Sequence, residues 1–180
     1  MSLAVIILAL VTLQRIGELW LSNRNTRRLV GRGGREVGAG HYPLIVAVHA
    51  LWLITLWWLA PTRPVDGFWL ALYVLLQLAR IWVIASLGER WTTRIIVLPD
   101  APLVRRGPYR FVNHPNYVVV VGEILLLPLV FGLWPVALIF TLLNAAVVAV
   151  RPPREPRASQ LARLAVPAYI AALSSTSLRC

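Results

Sequence analysis

The sequence contains no lysine: all 18 basic residues are arginine, a bias that points to a GC-rich genome rather than to a mechanism. Its one cysteine, Cys180, is the last residue, which excludes a disulfide framework and any Cys-based metal spacing. A terminal cysteine is also no prenylation box, since that motif needs residues after the cysteine. His41, His49 and His114 are too few and too scattered for a metal centre, so no metal is expected. Charge is scarce: only 14% of residues carry it, against about 25% in soluble domains. With 58% apolar residues and a mean hydropathy of +0.70, the chain is not an ordinary soluble domain. The formal charge of +11 does not imply nucleic acid as a partner. The arginines punctuate apolar runs and do not form a stripe interleaved with aromatics.

The long apolar runs are the dominant feature. The first, Ser2 to Leu21, has no preceding basic residue and no small-residue cleavage site, so it reads as a retained helix and not a signal peptide. The second runs from Pro43 to Ala60, with Pro43 suited to a first helical turn and Pro61 ending it. The third covers Gly67 to Leu87 and stops at Gly88. The last, Tyr117 to Val150, would be about 51 Å long as one helix, well beyond a hydrocarbon core of about 30 Å. Gly132, Trp134 and Pro135 near its middle turn it into a helical hairpin. The expected fold is therefore an all-α integral membrane protein of about five transmembrane helices ending in that hairpin. One membrane domain is expected over residues 1–151, with an atypical cytoplasmic tail at 152–180.

Arginine placement sets the orientation. Arg24, Arg27, Arg28, Arg32 and Arg35 follow the first run, Arg90, Arg94, Arg105, Arg106 and Arg110 follow the third, and Arg151, Arg154, Arg157, Arg163 and Arg179 lie in the tail. The alternate side has Arg63 alone, while Arg15 and Arg80 are read as lying near the helix ends on the arginine-rich side. The positive-inside rule puts the N-terminus outside and the C-terminus in the cytoplasm of a bacterial inner membrane. The basic surface then also attracts anionic lipid headgroups. Trp20, Trp91 and Trp134 fit interfacial anchors.

The segment Gly88 to Asn116 is too punctuated for a plain connector. Gly107, Pro108 and Pro115 restrict the backbone, Arg94 to Leu98 reads as strand-like or interfacial, and Arg105, Arg106, Arg110 and His114 gather at the mouth of the hairpin. His114 precedes a proline and is biased away from helical geometry, so Pro115 can open the next helix. Such an N-terminus offers free N–H groups and a positive dipole end to a carboxylate or phosphate, and arginines would add charge-assisted hydrogen bonds. The same residues also suit a plain helix cap with interfacial charges, and the physics alone leaves both readings open.

The run Gly107-Pro108-Tyr109-Arg110-Phe111-Val112-Asn113-His114-Pro115-Asn116-Tyr117 resembles the GPYR-x-x-x-HP-x-Y signature of the isoprenylcysteine carboxyl methyltransferase family. The likeness takes in Leu87 to Arg94, Ser22-Asn23-Arg24-Asn25 and His41-Tyr42-Pro43, and so covers roughly residues 10 to 151. It is similar to the bacterial branch found beside type III polyketide synthases, which implies a functional link to such an enzyme. The resemblance implies an S-adenosyl-L-methionine-dependent O-methyltransferase with no Rossmann domain and a cytoplasmic cofactor site. The one Gly-rich stretch, Gly31-Arg32-Gly33-Gly34, follows a membrane helix rather than a strand, which agrees.

The resemblance assigns cofactor binding to Arg110, His114, Pro115 and Tyr117, and catalysis to Arg151 and Glu155 at the end of the last helix. Family members follow the arginine there with a Glu-Glu pair. Here the chain reads Arg151-Pro152-Pro153-Arg154-Glu155-Pro156, so Pro156 replaces the second Glu and the prolines break the helix. The implied acceptor is a lipophilic small molecule, an alkylpyrone-like enol or acid first and an isoprenylcysteine-like carboxylate second. HPNY followed by Gly122-Glu123 also echoes the NADPH-dependent sterol reductases, which are longer, and a degenerate tail would suit an inactive membrane scaffold.

Three intramembrane polar residues are expected to be helix glue. A hairpin folded between residues 133 and 134 sets Glu123 opposite Asn144, a hydrogen-bonding partner across the two helices. His49 and Gln77 are read as helix-packing groups.

Overall fold

The computed structural model describes residues 2–37, 39–98, 104, 106–112 and 114–149, except the His41 side chain. It has five helices: α1 (Leu3–Gly31), α2 (Tyr42–Leu59), α3 (Gly67–Leu87), α4 (Pro115–Val130) and α5 (Trp134–Ala149). Two short strands, β1 (Arg35–Val37) and β2 (Ile95–Val97), pair antiparallel with Glu36 opposite Ile96. The fold is therefore not purely α. The strand-like character of Arg94 to Leu98 is realised in β2, whereas β1 is an addition to the sequence reading.

α1, α2 and α3 are long and apolar enough to cross a membrane. α4 and α5 are shorter apolar helices of 16 residues each. At 1.5 Å per residue each is about 24 Å long. The outer surface suits lipid: Leu10, Leu13, Ile16, Leu75, Leu78 and Trp82 are exposed, and on a soluble protein so much apolar surface would be an aggregation site. Leu8, Trp52, Leu56, Leu127 and Phe131 pack inside.

Local chemistry explains the helix ends. Asp66 caps α3 by accepting from the Phe68 and Trp69 N–H groups at 2.9 and 3.2 Å. The α4–α5 turn closes through Gly132 at φ 68°, with Gly132 N–H donating to Leu129 O and Leu133 N–H to Pro128 O. This is the break that Gly132, Trp134 and Pro135 imply. Ser2 Oγ donates to Pro61 O at 2.7 Å and Asp66 N–H to Val130 O at 2.9 Å. The N-terminal end of α1, the α2–α3 loop and the α4–α5 turn thus share one end of the bundle.

The opposite end is built on α1, which runs past Leu21 to Gly31. Arginine there sustains a helix as readily as it signals topology, and the extension has a docking partner. Ser22 Oγ accepts from Thr93 N–H at 2.9 Å, and Asn25 Nδ2 donates to Trp91 O at 2.8 Å and Gly88 O at 3.2 Å. Arg28 and Arg32 pair with Glu89 at 3.0 and 3.3 Å. Trp91 is 1% exposed inside this ledge, so it is core and not the interfacial anchor expected of it. Trp20 and Trp134 are exposed, as anchors require.

Candidate functional site

The end of α3 positions a turn. Gly107 to Arg110 forms one turn of 3-10 helix, and it is pinned to the end of α3 from both sides. Arg106 Nε donates to Ser86 O at 2.8 Å, while Gly107 lies so close that a Cβ would stand 2.1 Å from Ser86 Oγ. Gly107 also has φ 58°, a left-handed conformation that a side chain disfavours. Two independent constraints therefore require glycine here. Pro108 is buried beneath the turn, and burial pushes the Tyr109 phenol up to about 12.

From this turn the chain enters α4. His114 has φ −135° and ψ 61°, outside helical geometry as its place before Pro115 dictates. Its side chain makes no capping hydrogen bond, while its carbonyl accepts from the Tyr117 N–H at 3.1 Å. The His114 ring packs on Tyr117 with centroids 5.6 Å apart and planes at 60°. Arg110 and His114 are exposed, Tyr117 is half-buried, and the Arg110 guanidinium leans over Phe111 at 6.0 Å. Pro115 is buried and fixes where α4 begins. Asn116 Oδ1 is buried with no hydrogen-bond partner among the described residues. The structure thus brings His114 and Tyr117 into contact at the start of α4, with Arg110 on the preceding turn. Arg151 and Glu155, and with them the tail at 152–180, lie outside the described residues, as do Arg105 and Asn113.

A second polar cluster lies inside the bundle. Arg80 on α3 forks onto Glu18 of α1 through Nε and Nη2 and reaches Glu123 of α4 through Nη1. Arg15 bridges the same two carboxylates, at 2.9 Å to Glu18 and 2.8 Å to Glu123. Gln14 Nε2 donates to Glu18 and Gln77, and Gln77 Nε2 donates to Glu123 at 2.9 Å. Gly122 lies against α3 here: a Cβ there would stand 2.8 Å from a terminal methyl of Leu76. Close approach of α4 to α3 carries Glu123 to Arg80.

Glu123 is thus helix glue, but its partners are Arg80, Arg15 and Gln77 rather than Asn144 on α5. Arg15 and Arg80 are not helix-end charges: α1 continues well beyond Arg15, and Arg80 is 4% exposed. The missed signal was spacing. Gln14 and Glu18, and Gln77 and Arg80, each lie on one helical face at i,i+4 and i,i+3. Gln77 is an interhelical packing group, as expected, and His49 Nδ1 contacts Ile45 O one turn back at 2.8 Å.

Residues 69–160 match the profile of the Isoprenylcysteine carboxyl methyltransferase (ICMT) family. The chain is also 34% identical over 160 residues to "Uncharacterized protein YpbQ" of Bacillus subtilis (strain 168), covering 86% of this chain and 95% of that protein. The chain belongs to the isoprenylcysteine carboxyl methyltransferase family. No solved structure matches it. The family match begins in α3 and contains the pinned Gly107–Arg110 turn, the His114–Tyr117 pair and Glu123. As an ICMT-family member with three helices able to span a bilayer, it is a membrane protein of methyltransferase type.

Proposed function

We propose that this protein is an S-adenosylmethionine-dependent methyltransferase that modifies a carboxyl, enol or phenol oxygen of a lipophilic acceptor at the cytoplasmic membrane face. The observation that carries this reading is the start of α4, inside the family match, with His114 and Tyr117 in ring contact and Arg110 one turn before them. In this reading α4 and α5 complete five crossings of a bacterial plasma membrane, the N-terminus is outside, and the C-terminus is cytoplasmic. The arginine-rich ledge then faces the cytosol.

The residues present fit the cofactor's polar end. S-adenosylmethionine carries a carboxylate and an ammonium group. The positive dipole end of α4 and the exposed Arg110 suit the carboxylate, and Asn116 Oδ1, without a partner among the described residues, suits a donor. His114 and Tyr117 add ring surface, and Pro115 fixes the helix start. When bound, the cofactor supplies an electrophilic methyl group on sulfonium.

An ionised acceptor oxygen is already nucleophilic, so these residues act by orienting both partners and excluding water. Arg151 and Glu155 are assigned to orienting acceptor or cofactor from beyond α5. The first-choice acceptor is an alkylpyrone-like lipid, with a type III polyketide synthase as its source, and an isoprenylcysteine-like carboxylate is second. Incubation with methyl-tritiated S-adenosylmethionine and each acceptor tests this: label should pass into the organic phase with one of them. Labelled cofactor bound but never discharged to either class would refute the acceptor assignment.

A further inference from the structure

An open pocket of about 490 Å³ lies at the opposite end of α4 from His114, between the α2–α3 loop and the α4–α5 turn. Arg63 and Asp66 line it from the loop, Trp69 from the first turn of α3, and Trp134 from the start of α5. Leu129 and the buried Phe131 add apolar lining. The Asp66 N–H donates to Val130 O at 2.9 Å, so loop and turn are already tied and the pocket is preformed. Its volume is within the usual range for small-molecule sites, about 300–1,000 Å³.

The two charges in the pocket are opposite in sign, yet they do not pair with each other. Among the described residues neither has any other ion-pair partner. Arg63 is exposed, and Asp66 spends Oδ1 on capping α3, which leaves Oδ2 to accept from a ligand. Trp134 is 66% exposed, as an indole at headgroup depth should be. Trp134, Leu138 and Leu142 are all exposed and follow one another at i+4 along α5, an apolar track that leads away from the pocket.

We infer that this pocket holds the head group of a zwitterionic phospholipid with a primary ammonium, of the phosphatidylethanolamine type. The phosphate sits on Arg63, the ammonium on Asp66, and one acyl chain follows the α5 track. The charge pattern selects the head group. Arginine gives phosphate charge-assisted hydrogen bonds, and a primary ammonium gives them to the carboxylate. A purely anionic head group would set its extra negative charge against Asp66. A quaternary ammonium has no N–H for Asp66 and would depend on the tryptophan faces alone. The ethanolamine head group meets both charges and adds none. Bound there, the lipid bridges the α2–α3 loop and the α4–α5 turn beside the Asp66–Val130 hydrogen bond.

The test is native mass spectrometry of the full chain released from detergent micelles. The protein is titrated with phosphatidylethanolamine, phosphatidylcholine and phosphatidylglycerol of identical acyl chains. Wild type should hold the ethanolamine lipid about fivefold more tightly than either of the others, the scale of one exposed ion pair. Arg63→Gln should weaken that binding by about the same factor. Asp66→Asn keeps an oxygen to cap α3 but loses the negative charge, so it should erase the preference for ethanolamine over glycerol head groups. A purely structural defect would instead weaken all three lipids alike with the preference intact, and that result would overturn the inference. So would equal retention of the three lipids by wild type, a wild-type preference for the anionic lipid, or an ethanolamine preference that survives both variants. Choline binding as tight as ethanolamine, removed by Trp134→Leu and not by Asp66→Asn, would replace the charge pair with an aromatic cage and overturn it too.

Discussion

Arg80 on α3 donates from Nη1 to Glu123 on α4, and both side chains are almost wholly buried, at 4% and 1% residue exposure. Because Arg15 and Glu18 complete the cluster, its stability depends on charge balance more than on any one contact. Glu123→Gln leaves two guanidinium groups facing one carboxylate. Breaking a buried pair this way typically costs about 3–5 kcal/mol. The variant should melt well below wild type in detergent, and Arg15→Gln combined with Glu123→Gln should recover most of the loss. Cofactor affinity of the folded Glu123→Gln fraction should be unchanged, because Glu123 is far along α4 from His114.

Gly107→Ala tests how the site is held. The new Cβ would strike Ser86 Oγ and force a side chain into φ 58°. A left-handed conformation alone costs about 1–2 kcal/mol. The Gly107–Arg110 turn should lift from α3, and cofactor affinity should fall more than thermal stability does. Adding Ser86→Gly should relieve the clash but not the backbone strain, so isothermal titration should show partial recovery only.

How much of this was legible beforehand differs by feature. Boundaries set by local chemistry were readable: Gly67 to Leu87 with its flanking Asp66 and Gly88, the break at Gly132 and Pro135, and the non-helical His114 before Pro115. Partnerships between distant segments were not. Hydropathy ended the first span at Leu21, but Asn25 and Ser22 extend the helix by docking a loop more than sixty residues away. Likewise Arg15, Glu18 and Arg80 look like helix-end charges until three helices are packed. Of the candidate site, His114 and Tyr117 could be placed from their motif; their ring contact and the pinning of Gly107 required coordinates.

Asn25→Ala removes the donor that serves the Gly88 and Trp91 carbonyls. Unpaired buried carbonyls cost about 1–3 kcal/mol. Limited proteolysis should cut residues 88–98 faster in this variant, with the membrane core still protected.

The Tyr109 phenol gives a pH signature outside the membrane segments. An unfolded tyrosine ionises near pH 10, whereas burial moves Tyr109 from 10.0 to about 12. Its contribution is therefore fully present below about pH 10 and is lost as pH rises from about 10 toward 12. Tyr109→Phe should lessen the fall in Tm across that window, and ultraviolet titration should lose one tyrosine step within it.

Orientation is checked with single cysteines in a Cys180→Ser background. Thr62→Cys, in the α2–α3 loop, should react with an impermeant maleimide on intact cells. Val97→Cys, in β2, should react only after permeabilisation. The reverse pattern would invert the topology and remove the site from the cytosol.

The central claim is tested most directly by binding of radiolabelled S-adenosylmethionine to the purified full-length protein in detergent, with His114→Ala and Tyr117→Phe alongside. The account predicts saturable binding to wild type, lost in His114→Ala and weakened in Tyr117→Phe, with melting temperatures preserved. A folded wild type that does not bind, or a His114→Ala variant that binds as wild type does, would contradict it.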